Sequence, residues 1–141
     1  LNKMKDGDRC GFAAFNGHSG LLTIARNDKD LTLTQSNTVV NLTDRDKAVT
    51  SVDEDIIETV TLEAKTVCLR IDADFTPGKD IATFYYKVGN GEWHKIGKPY
   101  KMRFDYRRLF MGTRYAIFNY ATKQSGGYVD IDSFNYHLLR K

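Results

Sequence analysis

The sequence predicts an all-β fold, a sandwich or barrel of about ten short strands. Three observations point there. Apolar and polar residues alternate with a period of two, most cleanly over residues 66–74, where Val67, Leu69, Ile71 and Ala73 face one way and Cys68, Arg70, Asp72 and Asp74 the other. Clusters of Gly, Asn and Asp break the chain at short intervals. Eight Tyr, eight Phe and one Trp make up 12% of the residues, a composition that suits pleated, half-buried surfaces. No segment sustains the helical period of about 3.6 residues.

Taken in order, residues 10–16 form a first strand, closed by the turn formers Asn16-Gly17-His18-Ser19-Gly20. Residues 21–26 follow, and Asn27-Asp28-Lys29-Asp30 turns the chain into 31–35. A β-branched run at 38–42 reads as a separate strand, and 56–63 alternates with one apolar face. Residues 81–88 and 93–96 flank Gly89-Asn90-Gly91-Glu92, a hairpin signal with a mechanism, because Gly and Asn accept the positive φ that a tight turn needs. The best helical candidate is a single turn around 104–109, before Gly112. Strands at 113–121 and 128–138 complete the set. In the last, Val129 and Ile131 share one parity while Phe134 and Tyr136 share the other, so a bulge is expected near Asp132-Ser133.

With 141 residues the chain can bury roughly two thirds of its unfolded surface as one domain. No run approaches the eighteen or so apolar residues of a membrane helix, and no signal peptide is visible. The opening Leu1-Asn2-Lys3-Met4 reads as a piece processed or excised from a longer protein. Two cysteines, Cys10 and Cys68, are expected as free thiols, too few for a disulfide scaffold. The net charge of +3 hides an asymmetry. Residues 95–114 hold seven basic side chains against Asp105, whereas 44–80 hold ten acids against five bases. With no nucleic-acid motif beside it, the basic stretch reads as a face turned to the acidic one or to solvent, and neither nucleic acid nor membrane is expected as a partner. His18, His94 and His137 lie too far apart in sequence for a ligand set.

The run from Phe110-Met111-Gly112-Thr113-Arg114-Tyr115 through Asn119-Tyr120-Ala121, followed by Gly126-Gly127-Tyr128-Val129-Asp130-Ile131-Asp132-Ser133-Phe134, resembles the C-terminal β-sandwich of family-43 glycoside hydrolases, largely β-xylosidases and α-L-arabinofuranosidases. Asp6-Gly7-Asp8, Leu69-Arg70-Ile71 with Asp74, and Phe84-Tyr85-Tyr86 with Gly91 and Trp93 resemble the same domain, in the same order. The resemblance implies a concanavalin A-like jelly roll of two antiparallel sheets, packed against a five-bladed propeller that carries the catalytic carboxylates. It also implies that N-terminal strands of the sandwich precede this sequence, leaving an edge to be covered.

The chain therefore reads as an ancillary module that catalyses nothing by itself and that binds xylan-type or arabinose-decorated glycan or completes the pocket of a catalytic domain. A purely structural interdomain sandwich and a free-standing lectin-like module are the alternatives. Pyranose rings stack on exposed aromatics while amides, carboxylates and Arg hydrogen-bond their hydroxyls. Trp93, beside the hairpin turn, is the first candidate; Tyr86, Tyr115, Tyr120 and Arg114 are the others. Tyr85 and Tyr86 point to opposite faces, so one of them is the outward ring. Phe110 is the candidate for closing a neighbouring pocket. Asp130 and Asp132, roughly 6–7 Å apart at i and i+2, have a spacing that would suit an inverting glycosidase. They flank the expected bulge, where Asp satisfies backbone donors, so they are not read as catalytic. No cofactor is expected; a calcium site built on Asp130 or Asp132 with loop carbonyls is the one metal alternative.

Overall fold

The structure, a computed structural model, describes residues 1–45, 48–104 and 112–139. Eight strands are formed: β1 (Asp8–Phe15), β2 (His18–Asn27), β3 (Asp30–Leu42), β4 (Val49–Leu62), β5 (Val67–Asp74), β6 (Ile81–Val88), β7 (His94–Lys101) and β8 (Arg114–Ala121). They make two antiparallel sheets, one ordered β4-β3-β2-β1-β8 and the other β5-β6-β7. Of the sandwich or barrel expected from alternation and turns, the chain adopts the two-sheet sandwich that the resemblance implied.

The strand count is lower than expected for identifiable reasons. The runs at 31–35 and 38–42 are one strand, β3, because a register shift between Gln35 and Ser36 is absorbed within the β3–β4 ladder. The partner strand β4 consequently starts at Val49, well before the apolar alternation begins at Ile56. The first turn shrinks to Asn16-Gly17, since the Ser19 hydroxyl donates to the Asn16 carbonyl at 2.6 Å and accepts from the Asn16 amide at 2.9 Å. The strand expected at 128–138 is absent, and its bulge with it. A strand needs a neighbour's free edge, and among the described residues 129–139 make no backbone–backbone hydrogen bond. The helical turn expected at 104–109 falls mostly outside the described residues.

The core lies between the sheets. Leu22 and Leu33 from one sheet meet Phe84 and Ile96 from the other, and all four are fully buried. Gly20 in β2 is required here: a Cβ would sit 2.6 Å from the Phe84 ring and 3.0 Å from that of Tyr100. Along one side, Gln35 reaches across from β3 and accepts a hydrogen bond from the Lys98 amide at 3.2 Å, while Glu58 accepts from Gly97 at 2.6 Å. Gly97 has φ +72°, and a side chain there would overlap the Gln35 amide. Along the other side, the Tyr115 hydroxyl donates to the Ile71 carbonyl at 3.3 Å. These polar contacts tie the edges of the two layers and hold β5–β6–β7 at a set distance from the larger sheet.

The chain after β8 runs extended beside the core. The Tyr128 amide donates to the Lys3 carbonyl at 3.1 Å, the Phe134 ring stands edge-on to Phe12 (6.0 Å), and Tyr136 stands edge-on to Tyr115 (6.2 Å). Between this segment and the edge strand β5 lies a groove of about 930 Å³, lined by consecutive residues of both and floored by Phe12, Ile24 and Ile117.

Candidate functional site

The hairpin β6–β7 and its neighbour β5 present an aromatic and cationic outward face. In register, Arg70 stands opposite Tyr85 and Tyr85 opposite Lys95; Cys68 stands opposite Lys87. Trp93 immediately precedes β7, on the same face, with 40% of its surface exposed. The Arg70 guanidinium carbon lies 5.2 Å from the Tyr85 ring centre and 5.7 Å from that of Trp93, and the Lys87 ammonium lies 5.0 Å from Trp93. Arg70 is held by a two-point hydrogen bond from Nε and Nη2 to the Asp72 carboxylate, at 2.7 and 2.8 Å. That pairing with Asp72 raises the guanidinium's pKa above its ordinary value. Cations held over ring faces in this way are attracted by the ring quadrupole.

The residues anticipated from sequence are not gathered in one place. Trp93 belongs to the face just described. Tyr86 is turned the other way: it packs against the core cluster and lies 5.4 Å from the His94 ring, so Tyr85 is the outward ring of the pair. Tyr115 also packs against the core, stacked on Phe12 at 5.4 Å, and burial pushes its phenol pKa up. Arg114 and Tyr120 are exposed on the outward side of the larger sheet, six positions apart on one strand, a span of roughly 20 Å. Tyr120 leans on Phe118 with ring centres 6.2 Å apart. Phe110 lies outside the described residues. Asp130 and Asp132 are exposed on the terminal segment, and among the described residues no three His, Cys, Asp or Glu side chains form a metal-binding group.

Arg70 and Lys87 were not singled out by sequence reasoning, and Tyr85 was left open against Tyr86, although a signal for all three was present. Phe84 and Tyr86 share a parity, and the apolar Phe84 marks it as the inward one; Tyr85 and Lys87 then face outward with Trp93. Both thiols are free as expected: Cys10 is buried with its Sγ 3.9 Å from Met4 Sδ, and Cys68 is partly exposed. Of the basic residues in 95–114, Lys101 meets an acid, Asp80, at 3.9 Å, whereas Glu58 reaches the β7 backbone, so the two charged regions touch at few points among the described residues.

The antiparallel two-layer sandwich defines an architecture that many functions share, and the family is more specific. Residues 1–137 match the beta xylosidase C-terminal concanavalin A-like domain, and the chain belongs to that family. Among solved structures it is similar to a bifunctional GH43-CE protein of Bacteroides eggerthii, with 30% identity over 90% of this chain and a TM-score of 0.73. It is also similar to a GH43 glycoside hydrolase engineered to display both endo-xylanase and exo-arabinofuranosidase activity, with 25% identity over 90% of this chain and a TM-score of 0.76. The chain spans 15% and 25% of the lengths of those two proteins. No curated protein sequence matches it.

Proposed function

We propose that this chain is the ancillary sandwich of a family-43 glycoside hydrolase acting on xylan-type or arabinose-decorated glycan, and that it holds glycan on the outward face of β5–β7. One observation carries the reading. Trp93 stays substantially exposed while Tyr85, Arg70 and Lys87 stand around it, which supplies flat apolar surface together with hydrogen-bond donors for hydroxyl groups. The acid and base of the reaction belong, on this reading, to a separate catalytic domain.

Affinity electrophoresis tests this. The chain is expected to be retarded in gels containing xylan or arabinoxylan, and Trp93→Ala is expected to lose most of the retardation, since stacking on an aromatic face is worth roughly 1 kcal/mol or more. Equal mobility with and without polysaccharide refutes sugar binding.

A second reading has its own observation. The groove beside β5 exposes Ile117, Ile131, Phe134 and Tyr136, each more than half accessible, an apolar surface that favours burial against another domain. On that reading the sandwich is a structural spacer, and it survives a negative result in the gel.

A further inference from the structure

We infer that the outward face of β5–β7 selects glycan bearing carboxylates, that is, uronic-acid side groups, over neutral glycan; this rests on the reading that the face holds glycan. The inference comes from how charge is distributed along the small sheet. At the end formed by the β5–β6 turn, each cation has a carboxylate: Lys79 meets Asp74 at 3.4 Å and Lys101 meets Asp80 at 3.9 Å. At the aromatic end the balance is different. Asp72 neutralises Arg70, and among the described residues Lys87 and Lys95 have no carboxylate within ion-pair distance. The strands around Tyr85 therefore carry three cations, Arg70, Lys87 and Lys95, against one anion, Asp72, with Glu92 exposed in the turn beside Trp93.

Geometry adds to the charge count. Arg70 uses Nε and Nη2 on Asp72, which leaves the Nη1 protons available to a second acceptor. Arg70 and Lys87 already stand over the Trp93 ring. A neutral pyranose must share that ring with them and offers no charge in return. A uronic acid residue brings an anion to the same cations while its ring carbons lie against the indole or the Tyr85 phenol. Lys95, one strand from Tyr85 and two from Arg70, borders the same patch, with neighbouring strands about 4.8 Å apart.

The test uses a xylan bearing glucuronic acid side groups and the same xylan after its carboxyl groups have been reduced to primary alcohols, so that backbone and branching stay constant. The chain is expected to bind the acidic form roughly threefold to tenfold more tightly in low salt, as two exposed ion contacts would give. The preference should shrink towards one in 0.5 M NaCl, a concentration at which screening acts over roughly 4 Å. In Lys87→Gln/Lys95→Gln the ratio between the two forms should fall close to one. A charge-matched control, Lys29→Gln/Lys123→Gln, should keep it. Equal affinity of the unaltered chain for the two xylans overturns the inference and leaves glycan binding standing. A preference that survives in Lys87→Gln/Lys95→Gln, or disappears equally in the control, also overturns it, because net charge rather than this face would then be responsible. Failure to bind either xylan overturns both the inference and the reading on which it rests.

Discussion

Asp74 at the end of β5 accepts a hydrogen bond from the Thr76 amide at 2.9 Å and faces Lys79. Chiefly through its hydrogen bonds to Thr76, and then through the Lys79 charge, the carboxyl pKa is held at about 2 instead of 3.8. A carboxyl depressed in the folded state contributes stability above its unfolded pKa, and that contribution is lost as pH falls through the folded value. Here the window is from pH 4 down to about 2. Asp74→Asn should melt below the unaltered chain at pH 5, with the gap closing towards pH 2; a gap that stays constant across the window refutes the assignment. Cys10 offers a second residue-level test. Burial pushes its thiol pKa up to about 11, so little reactive thiolate exists at pH 8. Ellman's reagent should titrate Cys68 readily in the native chain and reach Cys10 only on unfolding; rapid reaction of both thiols would contradict the burial described.

At the scale of elements, the contact between β3 and β7 is where local pattern and tertiary demand part. Gln35 shares the inward parity of Leu31 and Leu33, just before the register shift at Gln35/Ser36, and Gly97, at φ +72°, leaves the room its side chain occupies. Gly97→Ala would overlap the Gln35 amide and force a left-handed backbone on a residue with a Cβ. The expected cost is at least about 2 kcal/mol in urea unfolding, and an unchanged midpoint would refute the clamp. The sequence contains both residues, yet neither Gln35 nor Gly97 stands out in it, because their meaning depends on a contact between strands far apart in the chain, where the Lys98 amide meets Gln35 across 63 positions. The β6–β7 hairpin is the opposite case. Gly89 has φ +54° and Gly91 donates to the Val88 carbonyl at 3.0 Å, so the turn chemistry visible in the sequence is the turn chemistry used. The same hairpin register turned Tyr86 inward and Tyr85 outward, a choice that the word Tyr-Tyr leaves open and that Phe84 decides.

For the molecule as a whole, the join between layers rests on few large side chains. Phe84 is fully buried, reaches over Gly20 of the opposite sheet and belongs to the central cluster with Leu22, Leu33 and Ile96. Phe84→Ala should cost about 3–5 kcal/mol, a large share of the 5–15 kcal/mol typical of a domain. A loss below about 1 kcal/mol would mean that the two layers are held otherwise. The groove along β5 is the other property of the whole. Its two walls, β5 and the segment after β8, are far apart in sequence, and both leave backbone and apolar side chains open along it.

The sequence alone determined the all-β class, most strand positions, the β6–β7 turn and, through motifs that recur in a set order, the family and with it the sandwich; the first three depend on the period-two alternation and on the residues that tolerate positive φ. Tertiary structure decided the rest. It merged two short runs into β3, because a bulge lets one ladder continue past Gln35. It withheld strand pairing from 128–138, because a strand exists only where another edge meets it. It also kept Trp93 alone of the anticipated residues on the aromatic face and gathered Tyr85, Arg70 and Lys87 around it. Which of two adjacent rings faces solvent is set by the sheet behind them, and that sheet is assembled from segments far apart in the chain.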